Sequence, residues 1–193
     1  MKKILLILIF AFNLNALNCQ IQTDLNNLKE VEIYIFKTEC RNEKSYNNFK
    51  TEAEQKEFSK KYQNVSDIPQ NLCVNYIDLE NCEVNETPLL DKYDIDRFDW
   101  TSSKIYLTQS GIKKIKELKV PLKGLPFVIK LNGVIIYGAW LWNMVSSYGC
   151  DRVWTFQDPI KNELKLEFGL GGFKCGTDPR KDESLIRKAI EKK

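Results

Sequence analysis

Histidine is absent from all 193 residues. Without an imidazole there is no Ser-His-Asp or Cys-His nucleophile and no zinc site built on histidine ligands. An excess of one charge is missing too, since 29 basic residues face 26 acidic ones, interspersed along the chain. A nucleic-acid binder concentrates positive charge because neutralising phosphates supplies much of its affinity, so no nucleic-acid partner is expected. The one local excess, Lys113, Lys114, Lys116, Lys119 and Lys123, reads as the solvated face of a helix. Six prolines and nine glycines, with no repeat and no low-complexity stretch, argue against a long linker or disordered tail. No Cys-x-x-Cys spacing occurs among the six cysteines, which argues against a zinc ribbon or a thioredoxin-type redox pair. No cofactor is expected.

Long apolar runs are also scarce. The clearest one, residues 4–12, follows Met1, Lys2 and Lys3 and leads into a polar stretch ending near Cys19. That is the order of a secretory signal, and the run falls short of the roughly 20 residues a membrane-spanning helix needs. Residues 1–19 are therefore expected to be a signal peptide. Ala16, Leu17 and Asn18 form either a loose lipobox before a lipidated Cys19 or the site of ordinary cleavage, after Ala16 or after Cys19. Loss of Lys2 and Lys3 takes the basic count from 29 to 27 against 26 acids. The expectation is an exported chain in the periplasm or at the cell surface, touching the membrane only through an N-terminal lipid. Residues 20–193 suit a single α+β domain, or two lobes meeting near residue 100.

Export places the cysteines where thiols oxidise. Cys40, Cys73, Cys82, Cys150 and Cys175 remain however Cys19 is treated, giving two bridges and a free thiol, or three bridges if Cys19 is retained without lipid. Spacing suggests Cys73 with Cys82, closing a short loop, and Cys150 with Cys175, tying the ends of the last sheet segment.

Alternation of Val31, Ile33 and Ile35 with Glu32, Tyr34 and Phe36 predicts a first strand. Residues 46–62 are rich in helix formers, with Phe49, Ala53, Phe58 and Tyr62 as a stripe facing a sheet. Residues 72–79 suit a strand and the surroundings of Cys82 a loop. A short strand at 105–107 precedes a helix capped by Thr108 or Ser110, with Ile112, Ile115 and Leu118 buried and Pro121 beyond its end. Residues 127–131 and 134–137 flank Asn132-Gly133, the pair best suited to a type I′ turn. Strands are expected at 152–156 and at 163–168, where Leu164, Leu166 and Phe168 alternate with charges. Asp178 and Pro179 open a last helix whose apolar face is Leu185, Ile186, Ala189 and Ile190, with Lys192 and Lys193 at its negative end. These elements predict an antiparallel or mixed sheet with helices packed on one face.

Residues 105–111 read Ile-Tyr-Leu-Thr-Gln-Ser-Gly and, after a helix, residues 125–137 read Leu-Pro-Phe-Val-Ile-Lys-Leu-Asn-Gly-Val-Ile-Ile-Tyr. This strand, Leu-Thr-x-x-Gly, helix and hairpin order resembles the periplasmic head subdomain of the SecD translocase subunit. With Asp94, Ile95, Asp96, Asp99 and Trp100 upstream and Ser146 and Ser147 downstream, it is also similar to exported bacterial proteins without an assigned activity. The resemblance implies a local fold and no translocation role, since this chain lacks the transmembrane helices of a SecD subunit.

Three chemistries remain. Asp91, Asp94, Asp96 and Asp99 offer oxygens to calcium, but the EF-hand glycine is missing and Ser102 stands where its bidentate Glu belongs, so solvated turns and a helix cap are the preferred reading. Ser146 or Ser147 with a lysine would make an acyl-transfer dyad. Tyr137, Trp140, Trp142, Tyr148 and Trp154 fall within eighteen positions; of these, Tyr137, Trp140, Trp142 and Tyr148 are the candidate ligand platform, against which stands simple core packing. The leading expectation is a non-catalytic binding or assembly module with an envelope-protein partner. The alternative is glycan binding or processing through the aromatic cluster.

Overall fold

The computed structural model of the chain describes residues 30–38, 40, 42, 44–45, 48, 51–158 and 160–191. The segment expected to be a signal peptide, with Cys19, lies outside them together with Lys192 and Lys193.

Among the described residues, eight strands and three α-helices make an α+β fold with two sheets. The larger sheet runs β1 (Val31–Ile35), β4 (Leu125–Leu131), β5 (Val134–Trp142), β6 (Cys150–Phe156) and β8 (Glu167–Leu170) in that spatial order. The smaller one is β2 (Ile95–Asp99), β3 (Lys104–Leu107) and β7 (Glu163–Lys165). All pairings are antiparallel except β5 with β6, so the larger sheet is mixed. Helix α1 is Glu52–Lys61, α2 Gln109–Glu117 and α3 Glu183–Glu191.

The β4–β5 hairpin forms as its turn residues dictate. Asn132 and Gly133 have φ of 49° and 73°, a region open to glycine and tolerated by asparagine. Alternation then sorts the side chains. Phe127, Ile129, Leu131, Ala139 and Leu141 join Ile105, Leu107, Ile115, Leu164, Ile186 and Ala189 in the main core, between the large sheet, the small sheet, α2 and α3. The opposite face of the sheet carries Tyr34, Val128, Trp140, Trp142 and Trp154, and Ile77 and Cys40 from the long 36–90 connection pack there. Helices α2 and α3 thus sit on one face, and a disulfide-braced connection that includes α1 covers the other.

Two disulfides join Cys40 to Cys82 and Cys73 to Cys175, with Cα separations of 5.9 and 5.6 Å. This corrects both pairings suggested by spacing. Cys73 and Cys175 meet in a separate small cluster with Ile68, whereas Cys150 starts β6 among the tryptophans and is the free thiol among the described residues. Membership of different packed clusters therefore separates Cys150 from Cys175 and Cys73 from Cys82.

Four further expectations change. Residues 72–79 form no strand; a 3-10 turn, Gln70–Leu72, leads into irregular chain there. Helix α1 has a Thr51–Glu54 capping box but no buried residue, and Phe58 and Tyr62 pack beside the Cys73–Cys175 bridge instead of on a sheet. The alternating stretch 163–168 divides at Leu166, whose N–H bonds Ser103 O at 2.8 Å, so that β7 and β8 enter different sheets. Asp178 caps a 3-10 turn, Pro179–Lys181, and the last α-helix begins two residues later.

The acidic stretch also acquires a structural role. Asp94 is buried, and its carboxylate accepts from Lys114 Nζ at 2.6 Å, Ser110 Oγ at 2.7 Å and Asp91 N–H at 3.1 Å. Burial works to raise its pKa, but these hydrogen bonds outweigh burial and hold it below the usual carboxylate range. A depressed folded pKa means stability that is present above the unfolded value, near 3.9, and lost as pH falls through the folded value. Asp94→Ala should therefore cost about 2–3 kcal/mol at neutral pH. The cost should shrink in urea titrations repeated below roughly pH 4, and a cost independent of pH would contradict the ion pair.

Candidate ligand-binding cleft between β5 and β6

Parallel neighbours usually need a crossover of a dozen or more residues. Here residues 143–149 alone connect β5 to β6, held by Asn143 Nδ2 to Val120 O at 3.1 Å and Trp142 Nε1 to Tyr148 O at 3.1 Å. The two strands pair only over Trp140–Trp154, Leu141–Thr155 and Trp142–Phe156. Toward their N-terminal ends they part, and a cleft of about 260 Å³ opens there, lined among others by Ile136, Tyr137 and Gly138 of β5 and Arg152 of β6.

The facing wall comes from the 70–80 connection, with Gln70, Tyr76, Ile77 and Glu80, and Pro179 and Leu185 complete the lining. Gly138 permits this approach, because a Cβ there would lie 2.9 Å from Ile77 Cδ1. Asp151 fixes the connection to β6. Its carboxylate accepts Val74 N–H at 2.8 Å and Asn75 N–H at 2.9 Å, while Asn75 Oδ1 accepts Asp151 N–H at 3.2 Å. Trp140 Nε1 donates to Asn75 O at 2.8 Å, and the Cys73–Cys175 bridge ties the connection to the 175–177 segment. Burial pushes the Asp151 pKa up although two backbone N–H groups oppose it.

Arg152 is 7% exposed. Its Nη1 donates to Cys175 O at 2.6 Å and Thr177 O at 3.1 Å, and its Nη2 to Gln70 Oε1 at 3.1 Å. A guanidinium carries five N–H groups, so Nε–H and one Nη2–H have no acceptor among the described residues. Tyr137 is 5% exposed. Its pKa is pushed up by burial, with charge effects from Arg180 and Asp178 behind it. Among the described residues, the solvent-shielded side-chain polar atoms without a partner are the indole N–H groups of Trp100 and Trp154. The Tyr137 hydroxyl is not among them.

The aromatic residues picked out by proximity in sequence therefore divide. Trp140 and Trp142 are each 1% exposed, with rings edge to face at 6.3 Å, and Trp154 is buried beside Phe156. None of these offers a face to a sugar ring, which corrects the platform reading in favour of core packing. Tyr148 is 51% exposed, under Lys123 Nζ at 5.9 Å and on the same surface loops as Leu122, Met144 and Val145. Tyr137 alone of the four lines the cleft.

The other candidates do not assemble. Asp91 and Asp99 accept backbone N–H groups of their own turns. Ser146 Oγ donates to Leu122 O and accepts from Tyr148 N–H, with no lysine in the arrangement. Among the described residues, the group of side chains close enough to share a metal ion is Cys73, Asp151 and Cys175, and both its sulfurs are committed to the disulfide.

Sequence reading missed Arg152, Asp151, Gln70 and Asn75 as site residues. One signal was present: two adjacent charges inside a strand whose other residues are Cys, Val, Trp, Thr and Phe. Charges so placed must be paired or hydrogen-bonded, and that requirement marks a built environment. No family model, no curated protein and no solved structure matches this chain.

Proposed function

We propose that the chain is a non-catalytic binding or assembly module of the cell envelope, acting outside the cytoplasm after loss of residues 1–19 and taking its ligand in the cleft beside Arg152. The observation that carries this reading is the pair of cysteine bridges spanning 42 and 102 positions, since such bonds persist in oxidising compartments. It is supported by the described residues containing no helix long and apolar enough to cross a membrane. The SecD-like order of residues 105–137 is kept as a local likeness without a transport role.

Fractionation of native cells with thiol trapping tests the compartment. The chain should be recovered from the envelope with Cys40, Cys73, Cys82 and Cys175 protected, and with Cys150 alkylated only after denaturation because burial both hides its thiol and raises its pKa. A photo-crosslinker replacing Leu79 at the cleft should capture an envelope component in intact cells. Recovery from the cytosol with reduced thiols and Met1 attached would reject the compartment, and absence of any crosslink would reject binding there.

A further inference from the structure

We propose that three touching loops, residues 118–124, 143–149 and 171–174, form a face that docks on an anionic lipid bilayer, its apolar side chains entering the headgroup boundary and its lysines meeting the phosphates. The face shares no residue with the lining of the cleft, and it adds a membrane surface to what the chain binds.

Among the described residues, eight large apolar side chains are exposed, and five of them, Leu122, Met144, Val145, Tyr148 and Phe173, belong to these loops. Single exposed apolar residues need no explanation, but a contiguous group marks an interaction surface. Contacts between the loops make this group contiguous. Asn143 Nδ2 donates to Val120 O at 3.1 Å, and Ser146 Oγ donates to Leu122 O. Lys123 Nζ lies 5.9 Å from the centre of the Tyr148 ring. The Phe173 ring packs so closely on Gly149 that a Cβ there would come within 2.6 Å of it.

Charge selects the occupant. The three loops contain Lys119, Lys123 and Lys174 and no carboxylate. All three lysines are exposed, and none makes an ion pair among the described residues, whereas Lys113 and Lys114 of α2 pair with Glu117 and Asp94. Lysine is depleted at the core of protein–protein interfaces. On a membrane its apolar stem lies along hydrocarbon while its ammonium stays among the headgroups, and an anionic surface attracts each such charge. Tyrosine suits the same boundary, with an apolar ring and a polar tip. Apolar tips ringed by unpaired lysines therefore fit an anionic bilayer better than a protein partner.

Hydroxyl-radical footprinting of the oxidised full chain tests this, because it reads which face meets the bilayer whatever holds the N-terminus. Vesicles of phosphatidylglycerol and phosphatidylcholine in equal parts should protect Met144, Tyr148 and Phe173. They should leave Tyr93, 73% exposed in the turn before β2, unprotected. Vesicles of phosphatidylcholine alone should protect far less, and added salt should weaken protection by the anionic ones. Replacing Lys119 and Lys123 together by glutamine should raise the lipid concentration for half-protection about thirtyfold, roughly fivefold for each lysine. Val145→Asp should raise it at least about tenfold. Each of these positions is exposed, so the urea midpoint of the variants should stay at the wild-type value. Equal protection on neutral vesicles, equal protection at Tyr93, or no change in the double glutamine variant would each overturn the proposal. Protection that grows with protein concentration in the absence of lipid would assign the face to a second copy of the chain and overturn it as well. A crosslink from Leu79 is independent of all these outcomes, because Leu79 lines the cleft and not this face.

Discussion

Replacing Cys73 and Cys175 together by serine should lower the stability of the oxidised protein by about 4–5 kcal/mol, the loop-closure entropy that a bridge across some 100 residues removes from the unfolded chain. The bridge spans 102 positions. The segment around residues 70–77 contributes no strand to either sheet, and it is attached through Asp151, Asn75, Trp140 and the Arg152–Gln70 contact. Without the bridge those polar contacts must form from a chain whose ends are unconstrained, so Asp151 and Arg152 become buried charges with weaker reasons to stay buried. Equilibrium urea unfolding of the oxidised wild type against the double-serine variant measures the difference. A midpoint shift equivalent to less than about 1 kcal/mol would mean that the unfolded chain is already compact around this loop, and that the entropic account of the bridge fails.

What the sequence made legible was local. Asn132-Gly133 specified a hairpin by backbone sterics alone, and Thr108 with Ile112, Ile115 and Leu118 specified α2, because each feature acts within a few residues. Periodicity also told which side chains point inward at residues 31–35 and 163–166, but not which strand each would meet. The chain therefore passes from one sheet to the other at Leu166 although its alternation continues unbroken. A parallel β5–β6 pair with so short a connection has no local signature, since nothing in residues 143–149 encodes the partner strand. The disulfide partners were equally hidden. Cys73 and Cys175 belong to one cluster only after the fold has brought Ile68 and the 175–177 segment together. The cleft inherits both difficulties, for its walls come from segments far apart in sequence at Gln70, Tyr137 and Arg152, and its buried guanidinium is met by acceptors at residues 70, 175 and 177.

Trp140→Ala gives the second large effect, and it separates a buried aromatic from an exposed one. Proximity in sequence groups Trp140 with Tyr148, yet the structure places the first at 1% exposure and the second at 51%. Removing the indole takes away an edge-to-face contact with Trp142 and leaves Asn75 O without the Nε1 donor at 2.8 Å. It also opens a cavity under the segment that walls the cleft. Large-to-small changes of this kind cost about 3–5 kcal/mol, and an unpaired buried carbonyl places this one toward the upper end. Tyr148→Ala, at an exposed position, should stay within about 0.5 kcal/mol of wild type. Because Asn75 also bonds Asp151 N–H, the Trp140 variant should loosen the Val74 and Asn75 amides first, and hydrogen exchange there should rise ahead of exchange in the β4–β5 hairpin. A Trp140→Ala protein with wild-type stability and unchanged exchange at residues 74 and 75 would show that the indole is not packed beneath this connection, and the cleft would lose one of its walls.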